Sequence, residues 1–202
     1  MKKINTNNTL KNLIILAAVI FTLNFSASAK TYVAINSGKW SDIATWENGA
    51  PGNEIKADDE VIVKNHITMN QDVAVKGKLT IEKGNTIMSN KSLFVAPTGK
   101  VVNNGNLTVK RIVNEGSIAN NSMMESMQEL ENKGTIANNQ NMVAGTNILN
   151  FGGSIEGNKG TYFANGTVVS SNGAKFGNDV KIYANPTQAG EAAAADLSTE
   201  ND

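Results

Sequence analysis

The residues with types suited to chemistry are few. Trp40 and Trp46, the two Trp of the chain, offer flat faces of the kind on which a pyranose ring stacks. They equally suit plugging the open end of a repeated region, which would otherwise expose apolar surface and unpaired backbone. Glu54, Asp58, Asp59 and Glu60, with Asn53 nearby, form an acidic cluster whose hard oxygens suit calcium. Their spacing is not that of a known calcium loop, and Asp58-Asp59 also reads as a turn into a strand. His66 is the only His and the chain has no Cys. It therefore lacks partners for a metal site, and no Ser or Asp stands at a recognisable triad spacing, so it reads as a surface or corner residue. Arg111 is the only Arg. Acid–base cleavage of a glycan needs carboxylates facing one another at about 5–10 Å, and a lyase adds a basic residue. From Gly99 to Tyr183 the carboxylates are Glu115, Glu125, Glu129, Glu131, Glu156 and Asp179, and no two share a column of the repeat that must position them.

That repeat is anchored on Gly99, Gly116, Gly134, Gly153 and Gly173, at spacings of 17, 18, 19 and 20. Four residues before each Gly stands Val95, Ile112, Leu130, Leu149 or Val169. Two after it stands Val101, Ile118, Ile136 or Ile155, with Lys175 the exception and Phe176 beside it. Five after it is always Asn: Asn104, Asn121, Asn139, Asn158 and Asn178. Self-similarity at this period means stacked units, none able to bury its apolar face alone. Upstream, short alternating runs (Val61/Val63, Ile67/Met69, Val73/Val75, Leu79/Ile81, Leu93/Val95, Leu107/Val109) are bounded by Gly, Asn and Pro-Thr-Gly signals and read as strands. Three short strands and three corners fit a coil of 17–20 residues, which predicts an all-β fold, a right-handed parallel β-helix from residue 60 to about 184. A β-sandwich shares the alternation but gives no reason for equal spacing with the same residue at each corner. On this reading the Asn column is a corner ladder, in the left-handed conformation Asn tolerates, and the Gly column marks a second corner of positive φ. Ser122–Glu131 reads either as a short helical turn or as an ordinary rung with Met127 and Leu130 inward, the spacing favouring the rung.

The ends differ from the middle. Lys2, Lys3 and Lys11 precede an apolar stretch, Leu13 to Phe25, and Ala27-Ser28-Ala29 follows. This is the layout of a cleaved signal peptide over residues 1–29. The stretch is shorter than the ~20 residues a membrane-spanning helix needs, so a retained anchor is the lesser reading. Residues 30–59, rich in turn formers, read as a capping segment, and 185–202 as a disordered acidic tail. Basic and acidic residues are balanced at 18 each, and loss of the leader leaves 15 against 18. That mild acidity argues against nucleic acid or an anionic membrane surface as partner. No stable membrane span remains after cleavage.

The segment from Gly38 to Ile81 resembles the start of the eight-glycine domain family, which opens many bacterial surface proteins built as parallel β-helices. The resemblance lies in Gly38-Lys-Trp40-Ser-Asp42, Ala44-Thr45-Trp46, Gly49, Pro51, Asp58-Asp59-Glu-Val-Ile-Val63, His66-Ile-Thr68 and Gly77-Lys-Leu-Thr-Ile81. It implies a surface location and a β-helix. It implies no activity, because members of very different chemistry share it and their activities reside in long additional regions with no counterpart in this chain. Lys181-Ile-Tyr-Ala-Asn-Pro-Thr187 resembles the opening of the C-terminal sorting domain of type IX bacterial secretion, with Ala184 in place of the first Pro of Tyr-Pro-Asn-Pro-Thr. The β-sandwich of that domain does not follow, which leaves a truncated relative or a chance match in an Asn-rich chain.

The expected function is that of an exported, non-catalytic, adhesin-like or surface-structural solenoid contacting polysaccharide or cell-surface components without a cofactor. Its expected location is extracellular or on the cell surface, with the periplasm as alternative. The competing reading is a small glycan-active lyase or hydrolase. An ice-binding solenoid ranks last, because Thr80, Thr108, Thr135 and Thr161 do not form one column. Export by cleavage has a direct check: N-terminal sequencing of the exported protein is expected to read Lys-Thr-Tyr-Val from Lys30, and an intact Met1 end refutes it.

Overall fold

Inside a strand, alternate residues face the same side. In the apolar pairs from Val61/Val63 to Leu107/Val109 both members therefore turn inward, and none is more than 2% exposed. The computed structural model describes residues 28–184. The acidic tail, and all but the last two residues of the expected leader, lie outside the described residues. The strands form three sheets of nine, eight and seven strands, which the chain visits in the same order in each coil. Ser117–Asn120, Met123–Ser126 and Leu130–Asn132 are one coil's contributions to the first, second and third sheets, and Thr135–Asn138, Asn141–Ala144 and Ile148–Phe151 are the next coil's. Pairing between coils is parallel and in register, with Ile118 against Ile136. The result is a β-solenoid of about seven turns.

The solenoid begins earlier than residue 60. Thr31–Ala34 already pairs in parallel with Glu60–Val63, Gly38–Lys39 with Ile67–Thr68, and Glu54–Ile55 with Val73–Val75. The predicted capping segment is thus a first coil with an insertion between its second and third strands, and the insertion hides the repeat. From one first-sheet strand to the next, later coils measure 17 to 22 residues. The corners take up the difference. For that reason the residue four before each Gly is not one column. Ile112 and Leu130 are register partners, but Val95 pairs with Asn114, while Leu149 and Val169 face outward beside the inward Ile148 and Val168. In Ser122–Glu131 a strand forms. Met124 and Leu130 are buried, whereas Met127 is 41% exposed, because alternation runs from Met124 and places Met127 in the turn after the strand.

The corner chemistry also differs from expectation. Of the five anchor glycines only Gly173 has positive φ, at 72°. A Cβ on Gly99 would strike the carbonyl oxygen of Val75, and one on Gly134 that of Gly116, so these positions are Gly because successive coils approach too closely for a side chain. None of Asn104, Asn121, Asn139, Asn158 and Asn178 has positive φ. What orders the first three is side-chain bonding: Asn121 Nδ2 donates to Asn104 Oδ1 at 2.9 Å, and Asn139 Nδ2 to Asn121 Oδ1 at 2.7 Å. Asn158 joins through its backbone N–H, which donates to Asn139 Oδ1 at 3.2 Å. Among the described residues no bond carries the ladder on to Asn178.

Two further ladders lie inside the coil. Asn103, Asn120 and Asn138 end successive first-sheet strands, and Asn114, Asn132 and Asn150 occupy matching positions in the third sheet, all fully buried. Asn103 Nδ2 donates to Asn120 Oδ1 and Asn120 Nδ2 to Asn138 Oδ1, both at 2.7 Å. Asn114 Nδ2 donates to Asn132 Oδ1 at 2.7 Å and Asn132 Nδ2 to Asn150 Oδ1 at 2.9 Å. Each amide also reaches a carbonyl beyond its corner, as Asn120 does with Ser122 O at 2.8 Å. Buried amides satisfied in this way fix a corner, whereas loss of one leaves its neighbours unpaired in a low-dielectric interior. Asn120→Ala is therefore expected to cost about 2–4 kcal/mol, and Asn139→Ala, on the exposed ladder, about 1 kcal/mol or less. Urea unfolding of both variants checks this, and equal losses would show that the inner ladder is not what braces the corner.

Candidate functional site

The insertion after Gly38–Lys39 carries both Trp residues, and neither presents a face to solvent. Trp40 is fully buried and Trp46 is 3% exposed; their rings meet edge to face at 5.1 Å. Trp40 Nε1 donates to Gly52 O at 2.6 Å and Trp46 Nε1 to Trp40 O at 2.8 Å, which satisfies both buried donors. Trp46–Glu47 adds an antiparallel strand to the free edge of Thr31–Ala34. Sugar stacking on Trp40 or Trp46 is thus excluded by burial, and the insertion is a cap.

The four acidic residues proposed for calcium do not converge. Glu54 lies 2.7 Å from Lys76 Nζ, Glu60 lies 2.8 Å from Lys78 Nζ, Asp59 Oδ1 accepts the Lys30 N–H at 2.9 Å, and Asp58 is exposed in the turn. Among the described residues no three His, Cys, Asp or Glu are grouped as a metal would need. His66 is exposed at the start of a second-sheet strand. Thr80 and Thr135 lie on the first sheet, and Thr108 and Thr161 on the second, at different outward positions.

Arg111 does gather carboxylates. Its Nη2 donates to Glu129 Oε1 at 2.6 Å and to Glu131 Oε2 at 2.8 Å, while Lys133 Nζ lies 2.6 Å from Glu131 and 3.8 Å from Glu115. Sequence reasoning missed this group because it sought carboxylates stacked on one another. The signal was the 18-residue spacing of opposite charges, Arg111 with Glu129 and Glu115 with Lys133. The hydrogen bond and charge of Glu131 raise the pKa of Lys133, against smaller opposing effects of burial and of Arg111. An acid–base pair needs carboxyls free to face a substrate, whereas Glu129 and Glu131 are both taken up in ion pairs with Arg111 and Lys133. Pairs of this kind, with their cations open to water, are screened and contribute little to stability. The group ties the outer surfaces of neighbouring coils together.

Open features also mark the surface, among them one of about 590 Å³ near the last coils, lined by Glu156, Lys175 and Asp179 among others. Coil 78–99 is 22 residues long and makes a wide corner at Glu82–Asn85, with Gly84 at φ 83°. The step between it and the shorter coils that follow forms a cleft of about 810 Å³, lined by Glu82, Lys83, Asn85, Asn104, Asn106 and Asn121 among others. The outer amide ladder runs on from it along the rod. A smaller depression, of about 210 Å³, lies on the third sheet and is lined by Asn53, Asp72, Val73, Ala74, Ser92 and Phe94. Phe94, Phe163 and Tyr183 are exposed aromatics, at 46%, 42% and 50%. Alternation between the inward Leu93 and Val95 is the sequence signal for an outward Phe94. Among the described residues no helix is long and apolar enough to cross a membrane. No protein-family model matches the chain, and no curated protein or solved structure is significantly similar to it.

Among the described residues one titratable side chain in the core is enclosed completely. Tyr162 is fully buried, and burial drives its phenol well above the usual value of about 10. Its hydroxyl donates only weakly, to Glu156 O at 3.4 Å. Above about pH 10 the unfolded chain releases this proton while the folded chain retains it, so stability falls as pH rises. Lys133, also raised, acts in the same direction, since its favourable contribution is complete below its ordinary value and is lost as pH climbs through the folded one. Tyr162→Phe is expected to match the wild type near neutrality and to exceed it in urea midpoint at about pH 11. A variant no more stable than wild type at that pH would show that the phenol ionises in place.

Proposed function

We propose that this protein is an exported, non-catalytic β-solenoid of the cell surface, adhesin-like or surface-structural, which contacts polysaccharide along its length. The observation that carries this reading is how the polar side chains are divided. The buried amides are committed to corners and the Arg111 group to ion pairs, while the outer amides of Asn104, Asn121 and Asn139 line an open cleft and the corner beyond it. Each bond in that outer ladder uses one N–H of one amide and one acceptor site of its neighbour, which leaves at least one donor and one acceptor site on each amide. Repeated at the ~4.8 Å spacing of stacked strands, these groups suit a hydroxyl-rich polymer held by many weak bonds of about 0.5–1.5 kcal/mol net. The leader and the resemblance of Gly38–Ile81 to surface β-helix proteins support export and surface display, with the periplasm as the alternative site.

The glycan-active reading gains from the meeting of Arg111 with Glu129 and Glu131, which brings a basic residue and carboxylates together. The pairing of those charges weighs against it. A glycan array of the chain without its leader, run beside a turnover assay on the same glycans, tests both readings. Binding without product is expected, together with loss of the protein from intact cells on protease shaving. Product formation that disappears in Glu129→Gln or Glu131→Gln would replace the binding reading with the enzymatic one.

A further inference from the structure

We propose that the third sheet carries a subsite for a neutral pyranose ring, built from Phe94 and the notch that Ala74 leaves beside it. The proposal rests on the reading that this protein contacts polysaccharide, but it concerns a different face from the amide-lined corner. Phe94 points outward between Ala74 on the preceding coil and Val113 on the following one. Val113 is buried although it too points outward, so Phe94 is closed on that flank. On the other flank Ala74 is too small to cover the ring, and the depression of about 210 Å³ opens there.

The rim decides what fits. Asp72 Oδ1 accepts the Ser92 N–H at 2.7 Å, which fixes the carboxylate at the edge of the notch. Among the described residues no cation pairs with Asp72. An apolar side chain seated on Phe94 would bury part of that charge without compensation. A pyranose instead offers a C–H face to the negative face of the aromatic ring and equatorial hydroxyls to Asp72, Ser92 and Asn53. An acidic sugar would meet Asp72 as a like charge, so the ring is a neutral one. The residues come from three successive coils whose strands are locked in register, which gives the site the rigidity that a shallow contact needs.

The test is affinity electrophoresis of the chain without its leader in gels containing soluble mixed-linkage β-glucan, mannan or xylan, with polygalacturonate as the acidic comparison. At least one neutral polymer is expected to retard the protein. Phe94→Ala and Ala74→Leu, which fills the notch, are each expected to weaken binding about tenfold or more. Phe94→Trp is expected to retain it, and Phe163→Ala, an exposed aromatic whose register neighbours Val143 and Tyr183 are both larger than Ala, to leave it unchanged. Circular dichroism melting establishes that each variant is folded, and Ala74→Leu carries the test should Phe94→Ala melt early. Wild-type retardation in both Phe94→Ala and Ala74→Leu would reject the subsite while leaving polysaccharide contact in place. Retardation by polygalacturonate alone would reject the neutral ring, and retardation by none of the polymers would remove the subsite together with the reading beneath it.

Discussion

A side chain inside this solenoid is packed mainly against its own equivalents one coil above and one coil below, and that constraint governs the rest of the structure. An apolar residue is satisfied by any apolar neighbour of suitable size, so Val61, Leu79, Val101, Ile118, Ile136 and Ile155 form one column of mixed shape. A buried amide is far more demanding, because its donor and acceptor must both be met within one strand spacing. The simplest partner is another amide, and once begun an Asn column tends to persist. Both buried ladders start partway along the rod, where apolar columns of Val63 and Ile81, or of Val75 and Val95, give way to Asn. At the second junction the Gly116 N–H donates to Asn114 Oδ1 at 3.2 Å. At the first the neighbour is Ile81, which has nothing to donate, and Asn103 Oδ1 is left buried without a partner. The ladder bears that cost once, at its end, and every later amide is paired.

The same constraint explains where the coil tolerates variation. Strand registers are held from coil to coil, so added residues must go to the corners, as at Glu82–Asn85 and in the insertion that carries the Trp cap. Where coils approach most closely no side chain fits at all, and Gly is required at an ordinary backbone conformation. Val168, Phe176, Val180 and Ile182, inward or packed against the core, are only partly buried, in contrast to their counterparts deeper in the rod.

The architecture was legible in the sequence because period-2 alternation and a near-constant coil length are both set by backbone geometry. The inward pairs from Val61/Val63 to Leu107/Val109, and the stacking of Ile118 on Ile136, follow from it directly. The polar columns were less legible. In each doublet, Asn103-Asn104, Asn120-Asn121 and Asn138-Asn139, one amide turns in and the next turns out, and anchoring on Gly selected only the outer one. Alternation from Ile118 would have placed Asn120 inside, but a buried Asn is costly unless its partners are known, and those partners are other coils' amides. The first coil was hidden because its insertion stretches it to 29 residues. Nothing in the sequence marks the corner after Ser126, and so Met124 rather than the expected Met127 is the inward residue. The Arg111 group and Phe94 depend on outward columns, where the repeat imposes no pattern to read.

That last difference bears on function. Inner columns keep their character because each member is the neighbour of the next, whereas outward positions in the same register change freely: Thr80, Val102, Ala119, Ala137 and Glu156 follow one another on the first sheet. Stability is thus carried mainly by the inner columns, and outward positions beyond the ion pairs around Arg111 are free to vary. A contact there has to be assembled from irregularities: a step where a long coil borders a short one, or a small residue beside a large one. The cleft at Glu82–Asn85 and the notch between Ala74 and Phe94 are irregularities of these two kinds. Both are shallow, as features on a narrow rod must be, so a ligand held by either gains most by being long enough to engage several sites at once. An extended polymer meets that requirement where a free small molecule does not.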